Sequence, residues 1–499
     1  MKLKVKDMDI ATGGILVVLV NEKDAEKFDL HHEDRVSVKK GRKKTTAIVD
    51  IGESDKVVKP GQIGLFEEVV DELNAKPGDI IDMDLEEKPK GVDHIKKKLE
   101  GKNLSKEETD EIVREIVERK LSAIELTYFI AACYTRKMNL EETVNLTKAI
   151  VKYGNKLKLR NKIIVDKHCT GGVPGNRTTM IVVPIVAAAG LTIPKTSSRS
   201  ITSPAGTADT MEVLAPVELT LKKMKKVVQK TNGCIILGGG VDLASADDKL
   251  IKLRHPLSLD PEGMLLASIL AKKAAVNSNH VLIDIPIGKD TKIKNKKEAD
   301  HLKKLFIKIG KKMGMKVKAI ITDGTEPVGN GIGPALEARD VLWVLKRDKR
   351  GPKDLEKKCI RMATDILKSA GVKGAGKKVK DILENGKAYA KMKEIIKAQG
   401  GNPNINPDKI KPGKYQYTYK APKSATITDI DNFTVSKIAR IAGAPKDQGA
   451  GIFLYRHEGQ KVKKGQPIFT VYAENKTKLK YARNILKKIG EIRVNHTYL

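Results

Sequence analysis

Residues 166–212 read DKHCTGGVPGNRTTMIVVPIVAAAGLTIPKTSSRSITSPAGTADTME. Two loops rich in glycine and hydroxyl side chains each follow a short apolar strand, and each leads into a helix. Lys167, Arg177, Lys195 and Arg199 lie in or beside them. Backbone N–H groups, hydroxyl donors and cations gathered at helix starts are the chemistry that holds phosphate. Two such loops predict two phosphate groups, or a phosphate beside a sugar. The order GxxxxGK[ST] of a P-loop is absent.

Working outward, residues 161–345 alternate strand and helix. The strands are expected at 162–165, 191–195, 234–237, 281–287 and 317–322, with helices at 221–230, 242–253, 261–275 and 297–313. This alternation predicts an α/β domain with a mostly parallel sheet, whose ligands sit beyond the carboxyl ends of the strands. The turn Gly288–Lys292 is placed there too.

Before this region, residues 1–85 carry short strand-like runs such as GILVVLV and KTTAIVDIG and predict a small β-barrel-like assembly domain. Residues 86–160 show amphipathic patterns with Ser105 and Asn139 as N-caps, which predicts a helical domain. After it, helices run to about residue 397 and GGNPNINPDKIKPGK forms a linker. The α/β domain thus spans 161–400, and 401–499 reads as a C-terminal α+β, barrel-sandwich-like domain. The turn around Arg456–Gln466 resembles that of a biotinyl-like barrel, but no Met-Lys-Met is present to carry biotin.

Composition narrows the function classes. Four scattered cysteines without CxxC spacing argue against a zinc site or disulfide scaffold and fit a reducing cytoplasm. The first residues, MKLKVKDMDIATGG, lack the apolar core of a signal peptide, and the longest apolar run, 180–191, is too short to span a bilayer. A formal net charge of +33 raises a nucleic-acid reading. Lysine is spread along the chain, however, and aromatics are only 4%, which leaves little for base stacking. The charge suits small anionic substrates instead.

Several residues carry possible chemistry. His168 and Cys169 are adjacent on an extended segment, so their side chains point apart and make a poor thiol dyad. Asp260 reads as an N-cap with Pro261 at the first helical position, yet a loop aspartate facing a base also suits a general acid. Ser268 and Lys272 lie one turn apart on the following helix, Lys272 being solvated or ligand-facing.

These motifs carry a family resemblance. DKHCTGGVPGNRTT, SSRSITSPAGTADT and LASILAKK resemble the thymidine and pyrimidine-nucleoside phosphorylase family over roughly residues 100–499. GGVPGNRTT, SLDPEGMLLAS and the extra N-terminal β domain resemble its archaeal nucleoside-monophosphate branch more closely. The resemblance implies phosphorolysis of AMP to adenine and ribose 1,5-bisphosphate, with CMP and UMP as further substrates. It implies nucleotide binding by Gly172, Ser198, Arg199, Ser200, Ile201, Thr202, Ser203, Thr207, Ser268 and Lys292, and proton donation by Asp260. Lys167, Cys169, Thr178, Ser197 and Thr207 match the inorganic-phosphate positions of the pyrimidine enzymes. Phosphate enters as co-substrate, with no cofactor and no metal. The partners implied are small molecules and a second copy through the helical domain, possibly in a larger homo-oligomer, with no membrane and no nucleic acid.

Two departures bear on substrate. Cys169 replaces a serine, and the glycine-rich second loop of the pyrimidine enzymes (SGRGLGHTGGT type) is here SSRSITSPAGT. The added hydroxyls and a cation are expected to receive a 5′-phosphate. A pyrimidine-nucleoside phosphorylase, and a non-catalytic RNA- or phosphate-binding scaffold, stay open as alternatives.

Overall fold

Six short strands close into a barrel in this computed structural model, which describes residues 1–200, 203–254, 256–257 and 259–489. They are β1 (Lys2–Asp7), β2 (Val17–Asn21), β3 (Arg35–Lys40), β4 (Lys43–Gly52), β5 (Gln62–Leu65) and β6 (Ile80–Leu85), in the order β1-β5-β2-β4-β3-β6. Leu3, Val5, Val18, Val20, Val36, Val38, Ile63 and Ile81 fill the interior, and closure leaves no free edge. Five of the strands are marked by sequence alternation. Gln62–Leu65 is not, being short and interrupted by Gly64, where a Cβ would come within 2.7 Å of Met8 Sδ. Helices α1 (Glu22–Lys27) and α2 (Glu67–Leu73) join these strands.

Next come α3 (Gly91–Leu99), α4 (Lys106–Val117), α5 (Ala123–Thr135) and α6 (Leu140–Tyr153). Ser105 and Asn139 both form the expected capping boxes, with Glu108 and Glu142 returning the bond. The chain divides into two compact units, Met1–Ala132 and Cys133–Leu499. The divide falls inside α5, within the segment expected as one helical domain.

In the second unit five strands run parallel: β7 (Val165–Cys169), β8 (Ile193–Ser197), β9 (Gly233–Leu237), β10 (His280–Ile287) and β11 (Lys316–Asp323). They form the ladders β11-β10-β7 and β8-β9, joined by a parallel bridge from Ile164 to Thr192. Between them lie α7 (Thr178–Ala188), α8 (Thr207–Glu212), α9 (Leu221–Thr231), α10 (Ser245–Arg254), α11 (Glu262–Ala275) and α12 (Lys296–Lys312). Helices α13 (Pro334–Leu345), α14 (Lys353–Ser369), α15 (Ala375–Glu384) and α16 (Lys387–Gln399) follow. The apolar run of the opening stretch is α7. Its residues 178–187 are buried all round and pack with α14 and α16, each large side chain contributing about 1.5–3 kcal/mol by burial. Gln399 closes the outer edge of β9: its amide takes the N–H and the carbonyl of Ile235, at 2.9 and 3.0 Å.

The last segment adds β13 (Tyr415–Lys420), β14 (Ala425–Thr426), β15 (Gly451–Leu454), β16 (Lys461–Val462) and β17 (Pro467–Ala473), with α17 (Asn432–Ile441) and α18 (Lys476–Ile489). An earlier two-residue strand, β12 (Gly331–Ile332), pairs with β15. The segments expected as 161–400 and 401–499 are therefore laced into one unit. Among the described residues, no helix is long and apolar enough to cross a membrane.

Candidate active site

The first correction concerns β7. The apolar pattern ends the strand at Val165 and puts Lys167 in the loop, whereas the strand runs on through Asp166, Lys167 and His168 to Cys169. Charges survive inside it because each finds a partner. Asp166 is fully buried and accepts from Lys273 Nζ at 2.8 Å. Lys167, 2% exposed, donates to Thr178 Oγ1 at 2.6 Å, at the start of α7. Two positions expected at inorganic phosphate thus already touch.

Cys169, a third such position, accepts from Gly171 N and Asn176 Nδ2, both at 3.4 Å. Burial, with Asp284 nearby, pushes its thiol up to about 11. A protonated thiol is a poor nucleophile, and His168 beside it is driven well below its ordinary range by burial and by Lys273. The pair does not work as a dyad.

Gly172 has a structural reason to be glycine. Its φ is +94°, and a Cβ would lie 2.9 Å from both Lys292 N and Thr291 Cα. The first loop therefore rests directly on the Gly288–Lys292 turn. From the same loop Arg177 reaches across to the second. Its guanidinium donates to Thr207 Oγ1 and to Ala205 O, each at 3.0 Å, and its Nε lies 2.5 Å from Glu337 Oε2.

The second loop is stitched by carboxylates. Asp209 Oδ2 accepts from Ser200 N and Gly206 N, both at 2.7 Å. Gly206 is required by this fold-back, since a Cβ would lie 2.7 Å from Ser198 O. Ser197 closes β8 and donates to Ser198 O at 3.3 Å, and Ser203 donates to Ala205 O at 3.1 Å. Ile201 and Thr202 lie outside the described residues. Arg199 differs from expectation. It grips Glu212 through two bonds of 2.6 and 2.8 Å and Glu218 at 2.8 Å. These carboxylates hold its guanidinium above the usual range.

Asp260 is not an N-cap. Pro261 takes that place without a side-chain bond, and Asp260 turns to two cations. Lys292 Nζ donates to its Oδ2 at 2.7 Å, and Arg254 Nε lies 3.8 Å from Oδ1. Its side chain is 37% exposed. Gly172, Lys292 and Asp260 therefore meet in one place. Ser268 belongs to a neighbouring network. It donates to Asp247 Oδ2 at 2.6 Å, where Lys272 Nζ also lies at 2.9 Å and reaches Asp248 at 3.2 Å. Lys272 is thus paired rather than solvated. Burial raises Asp248 above the usual carboxylate range.

Sequence reasoning placed Lys195 among the cations beside the phosphate-type loops without assigning it to a site, and missed Asp166 and Lys273. Lys195 is 5% exposed, 3.7 Å from Asp166 and bonded to Thr196 O at 2.5 Å. Burial and the neighbouring Lys273 push it down to about 7. A lysine on the packed side of the apolar helix LLASILAKKAA was the available signal for Lys273. Among the described residues, no group of three or more His, Cys, Asp or Glu side chains is arranged to hold a metal ion.

Comparison with known proteins agrees with this layout. Residues 161–389 match the model of the glycosyl transferase family a/b domain, and 92–154 that of its helical bundle domain. Residues 426–493 match the pyrimidine nucleoside phosphorylase C-terminal domain. The AMP phosphorylase of Thermococcus kodakarensis is 45% identical, with 99% of this chain and 98% of that protein covered. Those of Pyrococcus furiosus and Methanococcoides burtonii are each 44% identical, over 99% and 97% of this chain and 98% and 95% of theirs. Among solved structures, anthranilate phosphoribosyltransferase from Thermus thermophilus shares the fold at a TM-score of 0.52 and 16% identity, covering 62% of this chain and 99% of its own.

Proposed function

The chain belongs to the AMP phosphorylase family, and from that premise we propose that it cleaves AMP with inorganic phosphate, giving adenine and ribose 1,5-bisphosphate. It is a pentosyltransferase of the glycosyl transferase family. Full-length identity to AMP phosphorylases carries this reading. CMP and UMP are proposed as further substrates.

The bond from C1′ to the base nitrogen breaks, and positive charge builds on the ribose. A phosphate dianion held by Lys167, Thr178, Cys169, Ser197 and Thr207 stabilises that charge and then forms the new C1′–O bond. Asp260 donates a proton to the departing base, at N7 for adenine. An ion-paired carboxylate carries no proton to donate, so the Lys292–Asp260 contact must open and Asp260 take up a proton from solvent before the base leaves. The nucleotide's own 5′-phosphate supplies the competing anion, drawing Lys292 toward itself. Lys292, resting against Gly172, thus replaces Arg199 as the proposed cation for that phosphate. Gly172, the loop hydroxyls of Ser198, Ser200, Ser203 and Thr207, and Ser268 complete the nucleotide site. The scheme uses no cofactor beyond phosphate as co-substrate, and we place the enzyme in the cytoplasm.

We further propose a homodimer through the helical segment. Ile124 and Tyr128, four apart on α5, are 59% and 56% exposed, an apolar pair at the spacing of one helix face. The deciding experiment is phosphate-dependent release of free base from AMP and adenosine side by side. The expected result is turnover of AMP with little of adenosine. Preference for uridine or thymidine over any nucleotide would move the chain to the nucleoside-specific reading.

A further inference from the structure

The ground between the two phosphate-type loops holds an imbalance of charge. Lys167, Lys195 and Lys273 are all at least 95% buried; Asp166 serves Lys195 and Lys273, while Asp284, also fully buried, acts together with Lys167 on Cys169. Lys273 takes Asp166 Oδ2 at 2.8 Å and Lys195 stands 3.7 Å from its Oδ1. Asp166 carries one charge against the two buried amines of Lys195 and Lys273, and an uncompensated buried charge is strongly disfavoured. The other groups around Lys195 do not supply the missing negative charge. His168 is driven toward its neutral form by burial and by Lys273. Cys234 on β9, whose thiol lies 3.9 Å from Lys195 O, is driven the same way by burial. Lys195 sits on β8, two residues before the second loop begins to turn, and Lys167 sits on β7 beside the first. An incoming phosphate dianion would bring the charge that is lacking.

We propose that Lys195 is a positioning residue for phosphate that takes up a proton when a phosphate dianion enters the adjoining loops. The inference rests on the phosphorolytic reading, but it concerns a residue to which that reading gives no role. Its sign follows from the environment. Without ligand, Asp166 favours the ammonium form of Lys195, while burial, Lys273 and Lys167 oppose it, and the net effect is downward. A bound dianion reverses the balance, so protons are taken up on binding wherever the free site is substantially neutral, above about pH 7. Below that the residue is already charged and the uptake fades.

The test is calorimetric titration of the full chain at about pH 8 in buffers of different ionisation enthalpy. The probes are inorganic phosphate, AMP and adenosine, applied separately. Uptake approaching about one proton per phosphate is expected for the wild type. Uptake with AMP but not adenosine would assign the effect to the 5′-phosphate; uptake with inorganic phosphate would assign it to the co-substrate. In Lys195→Met the uptake should vanish and phosphate affinity fall roughly tenfold. In Lys195→Arg, which keeps a permanent charge, binding should persist without uptake. Circular dichroism and melting of each variant separate this from misfolding. Phosphate binding with no proton uptake in the wild type, or uptake unchanged in Lys195→Met, would overturn the proposal. Absence of any phosphate binding would count against the phosphorolytic reading itself.

Discussion

Asp166 and Asp260 are built alike and placed differently. Each carboxylate faces two cations, Lys273 at 2.8 Å and Lys195 at 3.7 Å in one case, Lys292 at 2.7 Å and Arg254 at 3.8 Å in the other. Asp166 is fully buried inside a strand, whereas Asp260 is 37% exposed on the loop before α11. A buried ion pair cannot open without stranding a charge in a low-dielectric interior, so the first group is permanent. A half-exposed pair opens cheaply into water, so the second is free to exchange partners during a reaction. Burial, rather than the number of partners, separates a scaffold aspartate from a chemical one.

The widest effect separates the two in opposite assays. Asp260→Asn should lower kcat with AMP by about 10²–10⁴ while changing stability by less than about 1 kcal/mol. Steady-state kinetics with a melting curve on the same sample checks both, and near-full turnover would remove Asp260 from the chemistry. Asp166→Ala should do the reverse. Leaving Lys273 and Lys195 unpaired costs about 3–5 kcal/mol of folding stability, read as a lower urea midpoint. An unchanged midpoint would mean that water reaches this group.

A smaller effect probes the contact that joins the Asp260 group to the first loop. Gly172→Ala places a methyl 2.9 Å from Lys292 N at a φ of +94°. Gly171 shares that φ but has open space around it. Gly171→Ala therefore reports conformational strain alone, about 1 kcal/mol. Gly172→Ala should add a further rise in KM for AMP of about tenfold. Equal behaviour of the two variants would show that the Lys292 turn does not depend on this packing. The smallest effect belongs to Arg199→Ala. Because that guanidinium is 39% exposed and paired with Glu212 and Glu218, KM for AMP should move by no more than about threefold. A large rise for AMP but not for adenosine would restore it as the phosphate clamp.

The contrast between the two aspartates also explains what was legible in the sequence. Strands β8 to β11 and the parallel α/β plan followed from apolar runs and their spacing. The run of β7 beyond Val165 did not, because Asp-Lys-His reads as loop by hydropathy. The lysine that permits burial of Asp166 lies 107 residues away on α11, and no local pattern shows it. Asp260 was singled out for its chemistry, yet its expected cap role failed because Lys292 and Arg254 offer charge where the helix start offers only N–H groups. The pairing of Arg199 was hidden for the same reason: its acids, Glu212 and Glu218, fold back onto it from beyond the loop. The fold was readable from local periodicity; the pairing of charges was not.

The central claim is that Asp260, once released from Lys292, protonates the departing base. The most direct measurement is the rate of Asp260→Asn relative to wild type on two substrates, AMP and 4-nitrophenyl β-riboside 5′-phosphate, whose leaving group needs no proton. A loss of about 10²-fold or more on AMP, with the nitrophenyl substrate within about threefold of wild type, is the predicted result. An equal loss on both substrates would contradict it and would assign Asp260 to binding or to holding Lys292 in place.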